Sequence, residues 1–232
     1  LTIFFAVIGF IFLYSIIDNP FGKDEIFSSF IFSVTRLIGC FIFAFFIIYF
    51  LIILNFMSKE KISNSYLGPI TNFLKRYGKF AFFILLLISL YRIADVVMGV
   101  MANIFYLEKG YKISEIATFS KFFGVFATIV GGFIGGYCSY KFGTMKALFF
   151  GALIAALSNL LFAWLAVSPI SINFLIAVIT ADNISSGFAG AAFVIYLSGL
   201  TSIKFTATQY ALFSSIMLFL PKLIAGYAGS WV

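Results

Sequence analysis

In this chain of 232 residues, 63% are hydrophobic and 10% are charged, whereas about a quarter of the residues of a soluble domain carry a charge. The chain therefore has too few charged residues to form the polar surface of a soluble domain. Its mean hydropathy of +1.14 predicts an all-α polytopic bundle of transmembrane helices. The net charge of +7 favours orientation in a bilayer over nucleic-acid binding, because the charges lie mainly in short loops.

Long apolar segments recur along the chain and predict about seven transmembrane helices. These segments lie at 1–17, 30–56, 80–107, 116–138, 147–167, 172–200 and from 208 onwards. The sequence begins inside the first segment and stops inside the last. We therefore expect truncated terminal helices, and we find no signal peptide.

Charges in the connecting loops predict how the helices are oriented. The linker 57–79 carries five basic residues and one acid, which places it in the cytosol by the positive-inside rule. The loop 18–25 is acidic and is expected outside, and no later loop contradicts the alternation. Within the linker, Gly68-Pro69 and apolar residues at helical spacing predict a short amphipathic helix, which Gly78 ends.

The linker also predicts a division of the chain into two membrane parts. Residues 1–56 would hold two helices, either the end of an N-terminal bundle or an inserted hairpin, and the sequence leaves this open. Residues 80–232 would hold a C-terminal bundle of five helices.

Charged residues inside the predicted spans are the strongest indication of function, because a charge at the bilayer centre costs about 2.5–3.5 kcal/mol on insertion scales. Arg92 and Asp95 share a polar stripe with Asn103, and Asp182 precedes Asn183 in a second segment at a similar depth. Two further cations, Lys121 and Lys222, also lie within predicted spans.

Each charge has a structural and a functional interpretation. Arg92 and Asp95 are three residues apart and could neutralise each other as an ion pair. Because the sequence has no histidine, Asp95 and Asp182 are the candidate proton carriers. Lys121 could pair with an anionic substrate, or its amine could extend to the outer headgroups.

Small residues form two clusters. The run GGFIGG (131–136) contains two overlapping GxxxG spacings and predicts close helix packing. The run SSGFAGAA (185–192) follows Asp182 and would allow its helix to bend or open around a site.

Four stretches resemble the AmpG-type muropeptide permeases of the major facilitator superfamily, and the similarity covers roughly 66–232. They are LYRIADVV, ISEIATFSKFFGVFATIVGGFIGG, NISSGFAGAAFVIYLSGL and FTATQYALFSS. The resemblance implies a proton-driven importer of anhydro-muropeptides in the bacterial inner membrane, whose missing N-terminal bundle would complete the cavity. The resemblance places Asp95, Lys121 and Gln209 at the positions of an acid, a lysine and a glutamine of the family. The loop SYKFGTMKAL departs from the superfamily's intracellular motif, because it lacks that motif's acid and arginine. The resemblance therefore does not extend to the gating contact of this motif.

The candidate substrate-binding or proton-coupling residues are thus Arg92, Asp95, Asn103, Lys121, Asp182, Asn183, Gln209 and Lys222. The expected partners are the lipid bilayer, protons and an anionic muropeptide, with no nucleic acid. The absence of histidine and of a CxxC pair argues against an enzyme, a metal site or a cofactor. The alternatives are a relative that carries another bulky anion, such as a coenzyme A thioester, or a truncated non-transporting paralogue.

Overall fold

A computed structural model describes residues 2–21, 25–54 and 67–228, and every secondary-structure element in these ranges is a helix. The helices are α1 (Thr2–Ile16), α2 (Ile26–Ile53), α3 (Gly68–Tyr77), α4 (Phe80–Leu90), α5 (Ile93–Lys109), α6 (Ile113–Thr118), α7 (Gly124–Phe142), α8 (Thr144–Val167), α9 (Ile172–Leu200) and α10 (Thr206–Ala228). A π-helical turn (Phe119–Phe123) joins α6 to α7, and a 3-10 turn (Ile203–Phe205) precedes α10. The predicted all-α class is confirmed.

Single helices or consecutive helical segments form stretches that are long enough to cross a bilayer. Six stretches of the described chain qualify by length and composition, namely Ile26–Ile53, Phe80–Lys109, Ile113–Phe142, Thr144–Val167, Ile172–Leu200 and Ile203–Ala228. The first predicted span differs, because α1 has 15 residues, or about 22 Å of helix, against a hydrocarbon core of about 30 Å.

Large apolar side chains cover the outer surfaces of these helices. Phe80, Phe133 and Phe149 are 73%, 77% and 67% exposed, respectively. Contiguous apolar surface on this scale is unfavourable in water but not against lipid tails. Together with the long apolar helices, it identifies a multi-pass membrane protein.

The chain divides into two compact units, residues 1–79 with 226–232, and residues 80–225. In the first unit, α1 packs on α2, and Arg36 of α2 joins the two helices. Its guanidinium donates a hydrogen bond to the Ile17 carbonyl oxygen at 2.5 Å and lies 3.9 Å above the Tyr14 ring. The C-terminal end of α1 thereby stabilises a cation inside an apolar helix.

The short linker helix is present as α3, and Gly78 ends it with a φ of +52°. Its buried residues are Pro69 and Phe73, whereas Leu67 and Leu74 of the expected apolar face are about half exposed. The described part of the linker begins at residue 67, and residues 22–24 of the acidic loop also lie outside the described ranges. The predicted sides of the membrane stay a prediction.

In the second unit, α9 packs against α7 and α8. A Cβ atom added to Gly131 or Gly135 of α7 would collide with the carbonyl oxygens of Ile184 and Phe188 of α9, respectively. The backbones of the two helices are therefore in direct contact, as expected from the GxxxG spacing. A Cβ on Gly136, from the second spacing, would meet no atom within 4 Å.

The run SSGFAGAA, which could allow a bend or an opening, lies within one continuous helix. Helix α9 is unbroken from Ile172 to Leu200, and small residues of the run pack closely against α7. A Cβ on Gly187 would collide with the Thr128 carbonyl oxygen. The irregular backbone of this unit lies elsewhere, between α4 and α5 and in the π-helical turn before α7.

Candidate functional site

The predicted span 80–107 is interrupted near its middle by a turn at Tyr91 and Arg92, between α4 and α5. The Tyr91 hydroxyl donates a hydrogen bond to the Leu148 carbonyl oxygen of α8 at 3.0 Å. Its ring stacks on Phe193 of α9, with 4.7 Å between the centroids and an interplanar angle of 5°. The interruption is therefore held by contacts with two neighbouring helices.

Arg92 and Asp95 form an ion pair beside this turn, with 3.0 Å between Nη1 and Oδ2. Their side chains are 20% and 13% exposed. Arg92 also donates to the Ser186 carbonyl oxygen of α9 at 3.3 Å, and Asp95 lies in the first turn of α5, where the helix dipole favours an anion. The pair is thus well compensated, as its structural interpretation expects.

Asp182 of α9 lies close enough to Asp95 and Tyr106 to interact with both electrostatically. Its side chain is half-buried. None of the residues that the structure describes gives its carboxylate a hydrogen bond or an ion pair. The structure therefore places a compensated acid and an uncompensated acid near each other on two helices.

Lys121 lies in the π-helical turn, and its side chain is exposed. It lines a groove of about 240 Å³ together with Asn103 of α5 and Ser120. The apolar part of this groove comprises Leu107, Ile113, Ile116 and Ala117. Within the described ranges, no side chain forms an ion pair or a hydrogen bond with the Lys121 amine.

The remaining predicted residues do not join either cluster. Asn183 accepts a hydrogen bond from the Thr128 hydroxyl at 3.0 Å, so it contributes to the packing of α9 on α7. Gln209 is fully buried, and its Oε1 accepts a hydrogen bond from the Ser202 backbone N–H at 2.6 Å. Lys222 is exposed on α10, directly after Pro221.

Sequence reasoning missed three residues. Arg36 is a charge inside an apolar segment, which is a signal that could have singled it out. Tyr91 and Ser120 gave no comparable signal, because their roles depend on residues far away in the sequence. In the part of the chain that the structure describes, no group of three or more His, Cys, Asp or Glu side chains could hold a metal ion.

Comparison with known proteins gives relatives for most of the chain. A Rickettsia conorii protein named "Putative transporter AmpG 4" is 35% identical over 179 residues, which are 77% of this chain and 43% of that protein. The protein of the same name from Rickettsia felis is 37% identical over 166 residues, 72% of this chain and 40% of the relative. AmpG 1 of Rickettsia bellii is 39% identical over 150 residues, 64% of this chain and 37% of the relative.

No family model matches the chain. The chain spans less than half the length of the curated relatives described above. Their matches nevertheless extend over most of its own length. They confirm the resemblance of this chain to the AmpG-type transporters.

Proposed function

We propose that the protein containing this sequence is a proton-coupled secondary transporter that imports anhydro-muropeptides across the bacterial inner membrane. The observation that carries the proposal is the position of Asp182 near the Arg92–Asp95 ion pair, beside an interrupted spanning helix. Ionisable groups within a membrane commonly mark proton or substrate pathways. Interrupted helices are typical of transporter binding sites.

The two carboxylates give this site a means of holding a proton. In a low-dielectric environment two nearby acids repel each other when both are charged, and one bound proton removes that repulsion. Arg92 compensates Asp95 directly at 3.0 Å. The proton would therefore be gained and lost mainly by Asp182, whose carboxylate has no ion-pair partner in the described structure, while Arg92 keeps Asp95 charged.

The names of the relatives support transport, and the muropeptide substrate follows from the resemblance alone. The rest of the transporter would complete the cavity, since the chain covers 43% or less of the relatives compared above. A coenzyme A thioester is the competing bulky anion. Both solutes carry anionic groups, so a direct comparison is needed.

The test is uptake by vesicles that contain the full-length protein. Labelled anhydro-muropeptide should accumulate when an inward proton gradient is applied, and an excess of a coenzyme A thioester should not compete. Accumulation that is blocked by the thioester would favour the alternative substrate. Absence of any gradient-driven accumulation would contradict the proposed function.

Coupling is tested by Asp95→Asn and Asp182→Asn, with Glu108→Gln as a control at an exposed acid. We expect at least one of the two Asn variants to lose gradient-driven accumulation but to keep counterflow of the solute, which needs no net proton movement. The control should behave as the wild type. If both Asn variants accumulate solute normally, the proton is carried by other residues.

A further inference from the structure

The groove beside Lys121 has the composition of a binding site for an anion. Asn103, Ser120 and Lys121 supply an amide, a hydroxyl and an ammonium group, and all three can donate hydrogen bonds. They come from two elements, α5 and the π-helical turn. Short π-helical segments are rare and are frequently found at functional sites.

The charge of Lys121 is not neutralised by the acids around the groove. Glu115 accepts a hydrogen bond from the Lys112 backbone N–H at 3.0 Å, which caps α6. Asp182 belongs to α9, which packs against the π-helical turn, but its carboxylate forms no ion pair with Lys121 in the described structure. The groove therefore retains a positive charge beside its two neutral donors.

The size of the groove limits what it can hold. Its volume is about 240 Å³. This lies below the range of about 300–1,000 Å³ for pockets that enclose a drug-sized ligand. The groove can enclose a charged group and its immediate substituents, and the rest of a larger ligand would lie outside it.

One residue in the apolar part of the groove, Ile116, belongs to the core of the unit. Ile116 is 6% exposed and packs in a cluster with Tyr106, Phe162 and Leu175. The wall at Ile116 is thus supported by packed side chains, and a ligand would not need to order this part of the groove on binding. Its apolar surface suits the less polar part of an amphipathic molecule.

We infer that this groove binds the oxyanion group, carboxylate or phosphate, of an amphipathic anion. The carboxylate of a transported solute and the phosphate of a lipid headgroup share this chemistry. The solute as source rests on the proposed function, whereas the lipid as source does not.

The experiment uses the full-length protein and measures two equilibria without a proton gradient. One is the binding of labelled anhydro-muropeptide in detergent, and the other is the retention of phosphatidylglycerol in native mass spectrometry. The variants are Lys121→Gln, which removes the charge, and Lys121→Arg, which keeps it. The matched control is Lys146→Gln, at an exposed lysine of α8 outside the groove.

We expect Lys121→Gln to weaken the binding of at least one of the two probes by about tenfold or more, because a charge-assisted hydrogen bond is lost. Lys121→Arg should largely restore it, and Lys146→Gln should bind as the wild type. An effect on the muropeptide alone assigns the groove to the solute. An effect on the lipid, alone or together with the muropeptide, assigns it to the headgroup phosphate.

The inference is overturned if Lys121→Gln binds both probes like the wild type, or if the wild-type protein binds neither. Failure of the proposed function looks different. In that case the full-length protein would accumulate no muropeptide in vesicles, while the lipid measurement would still test the groove.

Discussion

Replacing Gly131 by alanine should separate two helices that are in backbone contact. A Cβ on Gly131 would lie 2.8 Å from the Ile184 carbonyl carbon and 2.9 Å from its Cα atom. Ordinary carbon contacts of about 3.5–4.0 Å would then require α7 and α9 to move apart by about 1 Å. Because the opposing atoms belong to backbone, no side-chain rotation can relieve this contact.

The expected net effect is a loss of up to about 2.5 kcal/mol in the free energy of unfolding. Overpacking costs about 1–3 kcal/mol, and replacing a helical glycine by alanine returns about 0.5–1 kcal/mol. At Gly136 only the gain applies, because its Cβ would meet no atom within 4 Å. Gly136→Ala should therefore be neutral or slightly stabilising, although it is the same substitution in the same helix.

Thermal unfolding of the full-length protein in detergent measures this difference. Each kcal/mol corresponds to about 2–4 °C in Tm for domains of this size, so the two variants should differ by several degrees. Gly187→Ala should resemble Gly131→Ala, because its Cβ would collide with the Thr128 carbonyl oxygen from the other helix. Equal Tm values for Gly131→Ala and Gly136→Ala would refute the close backbone approach.

Two further predictions concern the helix interruption and the topology. Tyr91→Phe removes the hydrogen bond to Leu148 but keeps the ring on Phe193, so the free energy of unfolding should fall by about 1 kcal/mol. Tyr140→Phe, at a tyrosine that is 90% exposed, is the control, and an equal Tm for both variants would contradict the bond. In a background without native cysteines, cysteines at Ser63 and Asp24 should react with an impermeant thiol reagent from opposite sides of the membrane, and same-side labelling would contradict the orientation.

The number and positions of the spans were largely predictable, since lipid requires long apolar helices with internally satisfied backbones. Composition alone could not reveal the interruption at Tyr91 and Arg92. The acceptor of the Tyr91 hydroxyl is 57 residues away, in α8. The apolar pattern of one segment carries no information about a contact with a residue so far away. The sequence therefore predicts a single helix over 80–107.

The glycine clusters show why a local pattern can predict packing but not bending. Both GGFIGG and SSGFAGAA permit either the close approach of a neighbouring helix or the distortion of their own helix. Which of the two occurs depends on the helix that packs against the run. Gly187 faces the backbone of Thr128 and Gly132, so its missing side chain permits a close contact, and α9 remains one unbroken helix. The partner of this run could not be identified from its own sequence.

The candidate site was predicted in part. The Arg92–Asp95 pair follows from spacing within one helix, and it forms at 3.0 Å. The groove could not be predicted, because Asn103 and Lys121 lie on either side of the loop between α5 and α6. Gln209 was selected by resemblance, whereas its visible contact with the Ser202 backbone is structural.

The contacts of the two acids imply that they are not equivalent. Protonating Asp95 would remove the partner of Arg92, and an unpaired charge inside a membrane is costly. Protonating Asp182 breaks no ion pair in the described structure and removes its repulsion from Asp95, with which it interacts electrostatically. Asp182 is therefore better suited to exchange a proton in the proposed cycle, while Arg92 and Asp95 hold α5 against α9 through the bond to Ser186. At the helix interruption, the Arg92–Asp95 ion pair then stays fixed, and its charges set the electrostatic field at the carboxylate of Asp182.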